Sequence, residues 1–215
     1  MGIFDLMLYK SVFYWDNYHI NIEGGKTMDT LQKNMKLCRL IALALTAVVL
    51  LSLFLPYAST TKDAREQLNE RPDVVIIDDI NLTAGDMKDI SLFEFTRIYR
   101  VTNSDELGAI YTVLFAILAV LALLAVVFAL LKLPIGIIIV NIISLGVFFL
   151  TKFDFTDRKV IDAETYNWGF GHHLFLLCAI AAIAVAIWMI VVKSSIKKAS
   201  RPVYQPVWNP PPYNG

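Results

Sequence analysis

The sequence has only two cysteines in 215 residues, and none of its long apolar runs contains an Asp or Glu. Two cysteines are too few for a disulfide scaffold. The 19 basic and 19 acidic residues cancel, which argues against a nucleic-acid-binding protein. Metalloprotease and calcium-loop motifs are absent, as is any nucleophile–base constellation. We therefore expect a protein that is not an enzyme and holds no metal or cofactor.

Apolar sequence is abundant, at 57% of the chain. A membrane-spanning helix needs roughly 20 apolar residues, and residues 37–57 and 170–192 each provide such a run. The apolar stretch 109–150 would form a single helix of about 63 Å, twice the membrane thickness. A lysine and a proline split this stretch, because Lys132 belongs at the interface and Pro134 suits a first helical turn. The predicted spans are therefore 37–57, 109–131, 135–150 and 170–192, with a turn at 132–134.

This pattern predicts an all-α integral membrane protein, a four-transmembrane-helix bundle. Its orientation follows from the segregation of charge. The side that carries both termini and the 132–134 turn has eight basic residues and one acidic residue near the spans, whereas the two opposite loops have nine basic and fifteen acidic residues. By the positive-inside rule, both termini are cytoplasmic and loops 58–107 and 151–169 are extracytoplasmic. We expect this membrane to be the plasma membrane.

The cytoplasmic segment 1–36 begins with 27 residues that show no helical or strand period. One back-translation of the codons before Met28 contains AAGGAGGT, a bacterial ribosome-binding sequence, roughly seven nucleotides upstream of the Met28 codon. This suggests that the gene is bacterial, that residues 1–27 are a mis-assigned start and that translation begins at Met28. The alternative is that residues 1–27 form a flexible cytoplasmic tail.

The ~50-residue loop 58–107 is longer than a connector needs, and long loops often carry function. We expect it to be semi-structured, with an apolar β-prone run at residues 74–77. Ser91-Leu-Phe-Glu94 matches a capping box and predicts an amphipathic helix over residues 91–100. An apolar face of that helix would lie on the membrane surface, pack against the loop's own strand or bind a partner. The candidate partner-binding residues on it are Phe93, Phe95 and Tyr99.

Several residues in the spans are candidates for helix packing or for lining a pore. Asn141 and Ser144 share one face of the third span, and Ala182 and Ala186 continue a small-residue stripe in the fourth. Close helix packing is the preferred interpretation, since a transport path normally shows ionisable residues. The adjacent pair His172 and His173 points in directions about 100° apart and cannot chelate one ion, so we expect partly solvated interfacial histidines.

The cytoplasmic tail 193–215 is rich in proline and aromatic residues and cannot form a core. Its Pro210-Pro211-Pro212-Tyr213 run fits a polyproline II ligand for a cytoplasmic partner. In a bacterial protein, a disordered tail that contacts lipid headgroups or an unknown partner is the preferred interpretation.

Four spans with a large first outer loop resemble the layout of claudins and other tetraspan proteins. The resemblance ends at topology, because loop 58–107 contains no Trp and no Cys and therefore lacks the claudin signature. We predict an interaction, sensory or accessory subunit. Its partners are the lipid bilayer and another membrane protein or a second copy of the chain. The alternative is a small-solute channel or transporter subunit, with Asn141, Ser144 and the histidine pair along its path.

Overall fold

The computed structural model describes residues 24–102, 105–162 and 164–200. These residues are mostly helical, with a few short strands. The helices are α1 (Gly24–Ser52), α2 (Lys62–Glu70), α3 (Leu92–Thr102), α4 (Asp105–Leu130), α5 (Pro134–Asp157) and α6 (Phe170–Ala199). The strands are β1 (Pro56–Thr60), β2 (Val75–Ile77), β3 (Leu82–Thr83), β4 (Asp89–Ser91) and β5 (Tyr166–Trp168). Most of segment 1–27, and with it the question of the start site, lies outside the described residues, as does the tail from residue 201.

Four helices, α1, α4, α5 and α6, are long and apolar enough to cross a membrane, which confirms that part of the prediction. They pack as a ring in which α1 and α5 each contact both α4 and α6. Neighbours in this ring are consecutive among the four long helices, except for α6 and α1, whose contact closes the ring. This is the usual up-and-down arrangement of a four-helix bundle.

The turn between α4 and α5 falls where the lysine and proline predicted it. Lys132 adopts a left-handed conformation with φ of 62°, and the Leu133 N–H donates to the Phe128 carbonyl at 2.9 Å. This bond closes the end of α4 in the manner of a Schellman motif. Pro134 then begins α5, in a first turn that needs no backbone N–H from it.

Several helix boundaries differ from the predicted spans: α1 begins before residue 37 and α6 continues beyond residue 192, and two further differences have a local cause. The first span was predicted to reach residue 57, but α1 ends at Ser52. Pro56 explains the early end, because the residue before a proline, here Leu55, rarely adopts a helical backbone conformation. The third span was predicted to end at residue 150, but α5 continues to Asp157. Its last two turns are amphipathic, with Thr151 and Phe155 buried, so the helix outlasts the apolar run.

The connections at one end of the bundle fold into a cap, defined here as residues 53–102 together with 158–169. An antiparallel sheet of order β4–β1–β5 joins the two connections, so an all-α description is too narrow. The predicted capping box is present: the Ser91 N–H donates to Glu94 Oε2 at 2.8 Å, and the Glu94 N–H donates to Ser91 Oγ at 3.1 Å. The helix that it begins was predicted over residues 91–100 and is observed at Leu92–Thr102.

Candidate functional site

Tyr57 is the central side chain at the junction of the cap and the bundle. It lies on β1, the middle strand of the three-stranded sheet, and is 2% exposed. Its hydroxyl is buried and has no hydrogen-bond partner within the described residues. With centroid separations of 5.2 to 6.4 Å, its ring contacts the rings of Phe95, Phe148, Phe155, Trp168 and His172. These rings fill the end of the bundle beneath the cap.

The two histidines at the start of α6 have opposite environments. His172 is 1% exposed and lies 4.5 Å from Trp168 and 5.0 Å from Phe148, measured between ring centroids. His173 is exposed. The expectation that both are partly solvated is therefore wrong for His172, since successive helical positions point about 100° apart and one of them faces the core. The pair is not a chelating site.

Helix α3 places its apolar face against the bundle. Phe95 is 6% exposed and Tyr99 is half-buried, with its ring 4.3 Å from that of Tyr111 on α4. Phe95 therefore offers no free surface and Tyr99 only part of its ring, because both pack in the core under the cap. Phe93 is 40% exposed and contacts Phe54 and Phe115, which forms an aromatic group on the outside of the junction.

A polar contact between α4 and α5 was not foreseen from the sequence. The Tyr111 hydroxyl donates to the carboxylate of Asp154, and the Arg158 Nε donates to the same carboxylate at 2.8 Å. The four-residue spacing of Asp154 and Arg158 was the only signal of it in the sequence. This contact fixes the cap end of α4 to α5.

The middle of the bundle contains a small group of buried polar side chains. The buried apolar residues form two clusters, one toward each end of the helices. Along α1 and α5 the break between the clusters is occupied by Thr46, Asn141 and Ser144, which are 0 to 1% exposed. The Asn141 amide donates to the Ile137 carbonyl at 2.8 Å, but its Oδ1 has no partner in the described part of the chain.

The other packing candidates, Ala182 and Ala186, are fully buried on α6. They belong to the cluster away from the cap, together with Ala42 of α1. Side chains this small let helix backbones approach closely, and α1 and α6 form the most extensive helix contact. The structure therefore places all four span candidates, Asn141, Ser144, Ala182 and Ala186, inside the bundle.

A hairpin projects from the cap. Strand β2 pairs with β3 in a two-stranded sheet, and the Gly85 N–H donates to the Pro72 carbonyl at 2.9 Å, so we define the hairpin as residues 72–85. The sequence predicted a strand here but did not predict its exposure. Val74, Val75 and Ile76 are 50%, 42% and 48% exposed.

The acidic residues of the cap do not assemble a cation site. Among the described residues there is no group of three His, Cys, Asp or Glu side chains that could hold a metal ion. Asp89 pairs with Arg65 at 2.7 Å. Hydrogen bonds from the backbone and side chain of Thr83 lower the pKa of Asp86. Both carboxylates therefore have structural partners.

No protein family model, no curated protein and no solved structure matches this chain. The tail candidates Pro210, Pro211, Pro212 and Tyr213 lie outside the described residues. Function is therefore inferred from the bundle, the junction around Tyr57 and the projecting hairpin.

Proposed function

We propose that the chain spans the bacterial plasma membrane four times and acts as a non-enzymatic interaction or accessory subunit. The outer faces of the four long helices support insertion. On α4, α5 and α6 these faces expose large aliphatic side chains, including Val120, Leu123, Ile139, Ile142, Leu177 and Ile180. Apolar surface of this extent is a liability in water and matches the hydrocarbon of a bilayer.

Charge supports the orientation. Residues 53–102 of the cap contain nine acidic and six basic residues. The opposite end of the bundle has Lys132 in the α4–α5 turn and Lys193 and Lys197 in the last part of α6. The positive-inside rule then places the lysine-rich end and both termini in the cytoplasm, and the cap outside.

The aromatic junction around Tyr57 carries the proposal of an interaction subunit. The Phe148 ring stacks on Phe175 at 4.2 Å, and Tyr57 and His172 pack against the same Phe148. All four side chains are at most 2% exposed, so these rings close the centre of the bundle at this end. This packed junction holds the cap rigidly on the bundle. A subunit that presents a binding surface to a partner requires such a rigid connection.

A small-solute channel is the second proposal, and one observation favours it. The unpartnered Asn141 Oδ1 lies between the two apolar clusters, where a polar solute or water could donate a hydrogen bond to it. A lumen at that level would still have to pass the packed rings of Tyr57 and Phe148. The interaction subunit therefore has the stronger support.

Replacing Asn141 with leucine separates the two proposals. If Asn141 serves only packing, Asn141→Leu should raise the free energy of unfolding by about 1 kcal/mol, because it removes a buried oxygen without a partner. Liposomes that contain either protein should leak glycerol and K⁺ no faster than empty liposomes. Ile139→Leu, on the outer face of the same helix, is the matched control and should change neither measurement. Flux through the wild-type protein that Asn141→Leu abolishes would establish the channel instead.

A further inference from the structure

The projecting hairpin exposes apolar side chains on both of its faces. Successive side chains of a strand point to opposite faces, and here three successive residues, Val74, Val75 and Ile76, are each at least 42% exposed. Packing against the bundle would have buried one of the two faces. The hairpin nevertheless packs on the cap through its other strand, since Leu82 and Ala84 are each 6% exposed, and the exposed aliphatic side chains are those of β2 and of the residue before it.

The second edge of β2 has no strand partner among the described residues. Among the described strands β2 pairs only with β3, so its second edge can accept another strand. Proteins usually protect such edges with lysine, proline or a covering segment. Residues 74–77 contain neither lysine nor proline. Charge occurs only at the two ends of the strand, as Asp73 before it and Asp78 and Asp79 after it.

These three carboxylates determine what can bind the edge. All three residues are exposed, and none forms an ion pair within the described part of the chain. Arg71 is the one basic residue between positions 71 and 86 of the sequence. The strand therefore has an apolar centre between two negatively charged ends.

This charge pattern disfavours a second copy of the chain. If two β2 strands paired antiparallel about Ile76, the strand end next to Asp73 in each copy would lie beside the end next to Asp78 and Asp79, which begin a 3-10 turn, in the other. Like charges brought close together in this way repel each other. Anionic lipid headgroups would be repelled in the same way. A partner strand with apolar residues between basic ends would match both the apolar centre of β2 and its acidic ends.

We propose that the free edge of β2 binds an extended, basic-flanked segment of a partner protein by strand addition. Main-chain hydrogen bonds along the edge hold the segment. Its lysine or arginine side chains pair with Asp73 at one end and with Asp78 and Asp79 at the other. The inference rests on the proposed function, because it identifies the partner of the cap that this subunit presents.

The test uses the full chain in nanodiscs, where both sides of the membrane are accessible, and a fluorescent peptide of sequence KKVTVTVKK. Fluorescence anisotropy should show saturable binding. Raising the salt concentration to about 0.5 M should weaken it severalfold. A peptide with glutamates in place of the lysines should not bind. A peptide in which all valines and threonines are N-methylated lacks the central backbone donors of both strand edges and should also not bind.

The protein variant that tests the charges is Asp73→Asn/Asp78→Asn/Asp79→Asn. It should weaken binding by about fivefold to tenfold, as expected for the loss of several exposed charge pairs. The matched control, Asp63→Asn/Glu66→Gln/Glu70→Gln, removes the same charge from exposed positions on α2 of the same cap and should leave the affinity within about twofold.

Three outcomes would overturn the inference: no binding of the lysine peptide, equal weakening by both triple variants, or unchanged binding of the N-methylated peptide. Concentration-dependent dimerisation that Ile76→Lys abolishes would also overturn it, in favour of a second copy of the chain. Because nanodiscs expose both sides, these results do not depend on orientation. If the lysine peptide does not bind while a cysteine in the cap is labelled from outside intact cells, the inference is refuted and the proposed function stands.

Discussion

Tyr57→Ala should lower the free energy of unfolding by about 3–5 kcal/mol, the range measured when large aromatic side chains are truncated in packed cores. The Tyr57 ring contacts five other rings from α3, α5, β5 and α6, and its loss would leave a cavity where the cap meets the bundle. The measurement is unfolding in mixed micelles with increasing sodium dodecyl sulfate, monitored by tryptophan fluorescence.

Tyr57→Phe is the control for this substitution. It keeps the ring and removes a buried hydroxyl that has no partner within the described residues, so stability should stay within about 1 kcal/mol of wild type or increase. If Tyr57→Phe were as destabilising as Tyr57→Ala, the hydroxyl and not the ring would hold the junction together. That result would contradict the packing described around Tyr57.

Gly169→Ala is expected to have the second largest effect. A Cβ at position 169 would lie 2.3 Å from the carbonyl oxygen of Pro56, closer than two such atoms can approach. The Gly169 N–H also donates to the Tyr57 carbonyl at 2.7 Å, so any shift disturbs the junction between β1 and α6. Overpacking typically costs about 1–3 kcal/mol, and this case lies at the upper end because the clashing atoms of Pro56 and Tyr57 are backbone and cannot rotate away.

Gly146→Ala provides the matched control for that substitution. A Cβ at Gly146 would meet no atom within 4 Å, and the residue lies inside α5. Alanine in place of a helical glycine typically stabilises by about 0.5–1 kcal/mol. The two substitutions add the same methyl group and should change the stability in opposite directions. A Gly169→Ala protein as stable as wild type would show that β1 and α6 are not in the contact described.

Local signals in the sequence predicted the parts of the fold that depend on few residues. The α4–α5 turn follows from Lys132 and Pro134, and the start of α3 follows from the capping box of Ser91 and Glu94. In these places neighbouring residues determine the backbone, so no knowledge of the tertiary structure was needed.

The junction could not be predicted in this way, because it is assembled from distant parts of the chain. Tyr57 was predicted as the last residue of the first span. Pro56 instead ends the helix early, and β1 carries the ring into the core. The burial of His172 depends on Trp168 and Phe148, which approach it from two other elements. Hydropathy is averaged over a window of neighbouring residues, so it carries no information on contacts between distant parts of the chain.

The exposed hairpin shows the opposite limit of sequence reasoning. Residues 74–77 read correctly as a β-prone apolar run, and an apolar run is normally expected to be buried. Their exposure depends on which edges the neighbouring strands leave open, and only the strand order reveals that.

The most direct test of the account is side-specific cysteine labelling in intact bacterial cells. Cys38→Ala and Cys178→Ala provide the background, and single cysteines replace Asn69 on α2 and Ser200 after α6, both of which are exposed. A membrane-impermeant maleimide should label Asn69→Cys in intact cells and Ser200→Cys only after the cells are permeabilised. Labelling of Ser200→Cys in intact cells while Asn69→Cys is protected would contradict a four-span protein that presents its cap outside.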